Sequence, residues 1–198
     1  MKKVSVLLAA LLAAPLMLHA GDPPALITKK ADLQKSKIEW VGKKVTGQHD
    51  GTVMLKDGAL EVENGRVVGG QFTMDMTTIE VTDIEDPATN AKLKGHLMSD
   101  DFFSVEKYPT ARFVITDVQP AGSGKIDVTG DLTIKGITHA VNFPATVSNR
   151  DGQTRARAEF EIDRTKWNVR YGSGSFFEGL GDKVIYDDFT IKLDLVTR

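Results

Sequence analysis

Apolar and polar residues alternate strictly along this chain, in one stretch of about ten residues after another. Lys125–Lys135 is the clearest case. Ile126, Val128, Gly130, Leu132 and Ile134 hold one phase, while Lys125, Asp127, Thr129, Asp131, Thr133 and Lys135 hold the other. The same period returns at Ala156, Ala158, Phe160 and Ile162 against Arg155, Arg157, Glu159 and Glu161. It returns again at Phe189, Ile191, Leu193 and Leu195 against Thr190, Lys192 and Asp194. Successive side chains of a strand point to opposite faces, so each stretch reads as a strand with one apolar face and one wet face. Strands of this kind bury their apolar faces by packing into a sandwich or rolling into a barrel.

The pattern predicts eight strands, at about 36–46, 52–62, 66–76, 111–119, 126–134, 137–147, 154–163 and 187–196. Asn64-Gly65 and Lys135-Gly136 are hairpin signals, and Asn149–Gly152 reads as a four-residue turn. All three make antiparallel meander connections. Strands of this length suit a closed up-and-down barrel better than a sandwich. Gly21–Lys35, with Pro23-Pro24, reads as an irregular lead. Thr77–Thr110 and Arg164–Tyr186 are too long to be turns. The first carries a short helix over Ala88–Met98, between the third and fourth predicted strands. The second carries Trp167 and a glycine-rich aromatic loop over Tyr171–Gly181. Insertions of this kind are where lids and binding loops occur.

The inward phase is not uniformly bulky. Gly70, Gly130, Ala145, Ala156 and Ala158 share it with large residues. Interiors are otherwise close-packed, so small inward residues predict unfilled volume, unless neighbours such as Trp40 and Phe160 fill it.

Composition narrows the setting. Lys2-Lys3, the apolar run Val4–Leu18 and His19-Ala20 before Gly21 form a secretory signal peptide over residues 1–20, leaving one domain over 21–198. The apolar run is short for a membrane span. Removing Lys2 and Lys3 takes the formal charge from −2 to −4, which offers nothing to nucleic acid or anionic lipid surfaces. The chain has no cysteine, so packing alone must stabilise an exported domain. These features predict a periplasmic or secreted protein without stable membrane insertion.

Catalytic signals are sparse. His49, His96 and His139 are far apart in sequence and show no metal-ligand spacing. His49 reads as part of a tight turn, Gly47–Gly51, and His139 as an inward residue near a strand end. Gly172-Ser173-Gly174-Ser175 does not match a nucleophile elbow. Asp100-Asp101 and Asp187-Asp188 are adjacent pairs rather than facing ones. No catalytic residue, cofactor or metal is expected. The alternative is a metal-dependent or hydrolytic periplasmic enzyme using His49 and His96. An outer-membrane barrel would also alternate, but the low aromatic content, the helical insertion and the ending Val196-Thr197-Arg198 argue against it.

Several motifs occur in order, the central ones from His96 to Phe113 being the specific part. They are Trp40 with Gly47-x-His49-x-Gly51, then Gly70-x-Phe72-x-Met74-Asp75-Met76, then His96-Leu97-x-Ser99-Asp100-Asp101-Phe102-Phe103-x-Val105. Lys107-Tyr108-Pro109-x-Ala111-x-Phe113, Gly130-x-Leu132-Thr133-Ile134-Lys135-Gly136 and Arg164 follow in order. Together they resemble the YceI-like family, from about residue 36 to 196. The resemblance implies an all-β fold: an eight-stranded antiparallel lipocalin-like barrel with a short helical insertion between strands 3 and 4. It also implies binding of a long apolar ligand, such as a polyisoprenoid, an isoprenoid quinone or a fatty-acid amide, and it allows a homodimer. Ligand contacts are expected from Trp40, Met74, Phe113, Leu132, Ala156, Ala158 and Phe160 on the strands. On the insertions they are expected from Leu97, Phe102, Phe103, Trp167, Phe176 and Phe177.

Overall fold

The computed structural model describes residues 25–198; the expected signal peptide over residues 1–20 lies outside the described residues. Its strands are β1 (Leu26–Lys30), β2 (Lys37–Lys44), β3 (Gly47–Glu63), β4 (Arg66–Val81), β5 (Thr110–Gly122), β6 (Lys125–Ile134), β7 (Ile137–Arg150), β8 (Gln153–Asp163) and β9 (Ile185–Val196). One helix, α1 (Pro87–Met98), lies between β4 and β5. Each of β2 to β9 pairs antiparallel with its neighbours in sequence, and β2 pairs with β9 to close an eight-stranded barrel. The inserted helix follows the third strand of this wall, which is the fourth strand of the chain.

The extra strand corrects the expectation of an irregular lead over Gly21–Lys35. β1 runs opposite Glu63–Ala59 of β3, and β2 runs opposite Val53–Gly47 of the same strand. The two therefore lie end to end, as one wall strand interrupted around residues 31–36. Asp32 organises the interruption. Its carboxylate accepts from the amides of Gln34 and Lys35, and its own amide donates to the Val196 carbonyl at 2.7 Å. Such side-chain capture of local amides is how aspartate stabilises a turn.

The two ends of the barrel are built differently. At one end, β3–β4, β5–β6 and β7–β8 are joined by Asn64-Gly65, Ser123-Gly124 and Asp151-Gly152. Both central residues of each turn have positive φ, for example 51° at Asp151 and 78° at Gly152. This twist matches that of the flanking strands. The third of these connections is thus a two-residue turn, shorter than the predicted Asn149–Gly152. The opposite end has short turns at Val45-Thr46 and Lys135-Gly136, together with the two long connections over residues 82–109 and 164–184. A third difference from expectation concerns His49. It lies inside β3, opposite Gly42 of β2, and not in a turn.

The tight-turn end is packed solid. Leu60, Val62 and Leu195, each about 2% exposed, meet Ile38, Leu55, Val67, Phe72 and Ala156 there. Thr154 and Thr197 close it with polar bonds: the Thr154 amide donates to Thr197 Oγ1 at 2.8 Å, and the Thr197 amide donates to the Thr154 carbonyl at 2.9 Å.

Candidate functional site

The barrel encloses an elongated cavity of about 200 Å³. Counted up to the atom surfaces and including its opening to solvent, the empty space reaches about 1340 Å³. The two figures bracket the usual size of small-molecule pockets. Its accessible wall is entirely apolar. Ile38, Leu55, Phe72 and Leu195 line it toward the tight-turn end, and Ile79, Leu97, Phe102, Val169 and Ile185 toward the other. Tyr186 also lines it while half exposed, so the cavity reaches the surface at the end that carries the long connections.

Aromatic rings form much of the wall, and glycines let them lie flat. Gly51 sits opposite Trp40 across β2–β3, and a Cβ there would meet the indole at 2.5 Å and the Glu80 carbonyl at 1.8 Å. Gly130 would collide with the Phe113 ring at 2.4 Å. The glycine allows the close approach, and the ring covers the exposed backbone. Phe143 and Phe160 stack with centroids 4.0 Å apart. These contacts overturn the small-residue argument. Gly70, Gly130, Ala145, Ala156 and Ala158 do not line the cavity. Large neighbours fill the space above several of them: Phe113 lies over Gly130, and Phe143 and Phe160 pack with Ala145 and Ala158.

Of several register shifts in the wall, the largest lies between β3 and β4. Thr52 of β3 faces Glu80 of β4, yet Met54 faces Asp75, so residues 76–79 bulge out of register. Met76 and Ile79 within this bulge turn into the cavity. Thr77 donates amide and hydroxyl to Asp75 Oδ1, and the Met54 amide donates to Thr78 Oγ1, which fixes the bulge.

The first long connection caps the barrel. Asp86 caps α1 by accepting from the Thr89 amide at 2.8 Å, and Pro87 starts the helix. Past the helix the chain turns back: the Phe103 amide donates to the Leu97 carbonyl, and the Val105 amide to the Met98 carbonyl. This fold-back aims Leu97, Phe102 and Phe103 into the cavity. The second connection is pinned by Arg164, 5% exposed. Its Nε, Nη1 and Nη2 donate to the carbonyls of Tyr186, Val169 and Ile185, and Nη2 lies 3.5 Å from Asp187 Oδ1. Burial draws this guanidinium below its ordinary value, while Asp187 and Asp163 oppose that.

Of the residues predicted from sequence, Trp40, Met74, Leu97, Phe102, Phe103, Phe113, Leu132 and Phe160 are brought together on the cavity wall. Ala156 and Ala158 pack behind it. Trp167 is 1% exposed and fixed in the core, its indole N–H donating to the Leu132 carbonyl at 3.0 Å. Phe176 and Phe177 are half exposed outside the cavity, with the Arg170 guanidinium over the Phe176 ring. Phe72, Phe143, Phe189 and Ile191 line the cavity and were readable from the alternation. Ile79 was not, because the bulge shifts its phase.

The histidines lie elsewhere. His49 Nδ1 is 2.8 Å from Asp83 Oδ2, and the Asp50 amide also donates to that carboxylate. Burial works to raise the Asp83 carboxyl, but these bonds outweigh it and hold the group below the usual carboxylate range. His96 Nε2 is 3.2 Å from Asp101 Oδ2, and its ring meets Phe102 and Tyr171 edge-on. His139 faces the Lys166 carbonyl at 3.0 Å. None of the three lines the cavity. Among the described residues, no group of three or more His, Asp or Glu is arranged to hold a metal ion.

Residues 30–197 match the model of the YceI-like domain, so the chain belongs to the YceI-like family. A UPF0312 protein of Pseudomonas putida (strain F1) is 33% identical over 117 residues, which span 58% of each chain. The match thus covers less than two thirds of that relative's length. Among solved structures, Burkholderia cenocepacia BcnA superposes with a TM-score of 0.66 at 27% identity, over 85% of this chain and 99% of that one. A polyisoprenoid binding domain from Saccharophagus degradans, implicated in plant cell wall breakdown, also superposes with a TM-score of 0.66. It covers 88% of this chain and 99% of its own at 15% identity, a likeness of fold.

Proposed function

We propose that this member of the YceI-like family is a non-catalytic binding protein of the periplasm. It encloses the chain of a polyisoprenoid, isoprenoid quinone or fatty-acid amide, and serves its storage or transport. The observation that carries this reading is the wholly apolar wall of a cavity that runs from the packed end of the barrel to the half-exposed Tyr186. A tube of this chemistry rewards apolar length. Each buried CH2 contributes about 0.8 kcal/mol, so ten such groups give roughly 8 kcal/mol before the chain's ordering entropy is subtracted. Micromolar or tighter binding is then reachable with few polar contacts.

Mass spectrometry of organic extracts from protein purified from its native source tests this reading. The expected result is a co-purifying long-chain isoprenoid or fatty amide. Clean extracts from repeated preparations, together with no binding to quinones, isoprenols or fatty amides, would reject it.

A further inference from the structure

The seam between β2 and β9 is broken near the open end of the barrel. Gly42 pairs with Phe189, and Lys44 pairs with Ile185. Lys43 alone therefore stands opposite Tyr186, Asp187 and Asp188. Tyr186 lies in this break, lines the cavity and is half exposed. The bulge is a built feature rather than a frayed edge. Arg164 donates Nε to the Tyr186 carbonyl at 3.1 Å and Nη2 to the Ile185 carbonyl at 2.9 Å. The Ser175 hydroxyl donates to Asp187 Oδ2 at 2.6 Å.

Beside the break, the wall lacks a side chain. Ile38, Trp40 and Gly42 follow one another at two-residue spacing along the inward face of β2, and all three line the cavity. A Cβ at Gly42 would meet no atom within 4 Å, whereas rings crowd the Cβ positions of Gly51 and Gly130. Gly42 also has no positive φ. Neither packing nor backbone conformation thus demands a glycine there. His49, opposite on β3, is drawn to Asp83 and does not cover the notch. The cap beside it is closed. The Tyr171 ring of the second long connection lies 4.5 Å from the His96 ring and 5.5 Å from the Phe102 ring of the first, centroid to centroid.

We infer that the ligand enters and leaves sideways, through the break in the β2–β9 seam, over the bare backbone of Gly42 and past the ring of Tyr186. The cap formed by the two long connections stays shut. This rests on the lipid-binding reading above and adds the route to it. Entry through the cap would unpack Leu97, Phe102 and Phe103 and part the Tyr171 contacts. Entry through the seam leaves those rings, and the bonds of Arg164, in place. Only the half-exposed Tyr186 ring has to turn, and rotation of such a side chain is fast. Gly42 thereby sets the clearance of the doorway, and Tyr186 is its moving part.

Rates separate a doorway from a contact. An obstacle on the path alone raises the barrier equally in both directions and leaves the equilibrium where it was. Decylubiquinone is the probe. Its uptake is read by stopped-flow quenching of tryptophan fluorescence, and its release by transfer to excess phosphatidylcholine vesicles. Gly42→Phe should slow uptake and release together, each about ten-fold, while Kd stays within about three-fold of the parent. Gly42→Ala should slow both less, and Tyr186→Ala should speed both. Gly42→Phe should melt no lower than the parent, because its ring enters open space. The inference is overturned if Gly42→Phe leaves both rates unchanged, or if it weakens binding through faster release alone. It is also overturned if Gly42→Phe melts markedly lower, since the notch would then be filled. If the parent protein takes up no decylubiquinone, the lipid-binding reading itself fails.

Discussion

The two ends of the barrel solve different problems with the same strands. At one end, three two-residue turns return the chain as soon as each strand finishes, and Leu60, Val62 and Leu195 fill the space behind them. At the other, connections over 82–109 and 164–184 carry the helix, the inward Leu97, Phe102 and Phe103, and the exposed Tyr171, Phe176 and Phe177. The first end is organised by backbone geometry and side-chain packing. The second adds side chains that reach backbone groups: Arg164 to three carbonyls, and Asn90 to the carbonyls of Val81 and Ile84. Stability is expected to concentrate at the packed end and ligand exchange at the pinned one.

The sharpest challenge to that division is Arg164, because it places a buried, stability-critical group at the loose end. Arg164→Ala would strand three carbonyls and the Asp187 carboxylate. It should cost about 3–5 kcal/mol in urea unfolding. A loss below about 1 kcal/mol would mean that the second connection is held by something else. At the packed end, Leu60→Ala should cost about 3 kcal/mol from lost burial and the cavity it leaves. Lipid affinity should stay within about two-fold of the parent. A parallel fall in affinity would erase the distinction between the ends.

Two smaller changes refine the comparison. Gly152→Ala places a Cβ in open space but at a φ of 78°, so its effect isolates backbone strain. A loss of about 1 kcal/mol is expected, read as a lower melting temperature with unchanged lipid titration. Asp83→Asn weakens the tie from His49 and the Asp50 amide to the segment before α1. Asp83 has a depressed carboxyl in the folded state. Its contribution is therefore present above the unfolded carboxylate value near pH 4 and is lost as pH falls through the lower folded value. The pair is partly exposed, so Asp83→Asn should cost under about 1 kcal/mol at pH 7. The gap between parent and variant melting curves should close toward pH 2. A gap that persists there would remove charge as the cause.

What the sequence made legible follows the same division. Period-2 alternation located all eight wall strands, because a closed barrel buries one face of every strand without exception. Asn64-Gly65 and Lys135-Gly136 announced their own turns. β1 was hidden because Leu26 and Ile27 are both exposed, so Leu26–Lys30 shows no alternation. Its pairing is set by β3 and by the contact of Asp32 with Val196. His49 looked like a turn residue because Gly47–Gly51 has turn composition. Gly51 is there to admit the Trp40 ring, a tertiary demand that local composition does not reveal. The wall residues on regular strands were readable by phase. Ile79 lies within the bulge, where phase fails, and Arg164 carried no local sign of the three carbonyls waiting for it. Trp167, Phe176 and Phe177 show the opposite error: aromatic side chains on a long loop can end in the core or in solvent as easily as on a cavity wall.

The seam between β2 and β9 has a kinetic consequence. Every other pairing among β2 to β9 joins strands adjacent in sequence. This one brings together residues such as Ser36 and Val196, 160 positions apart. Bringing such ends together costs on the order of 4–5 kcal/mol in chain entropy, which the hydrogen bonds of the final strand and the burial of its Leu195, Val196 and Phe189 must offset. Until β9 is available the chain is a curled sheet with two open edges, able to pair with other chains. A truncation just before Ile185 should therefore aggregate rather than merely lose affinity. Refolding of the intact chain should be limited by the step that zips its last strand against β2.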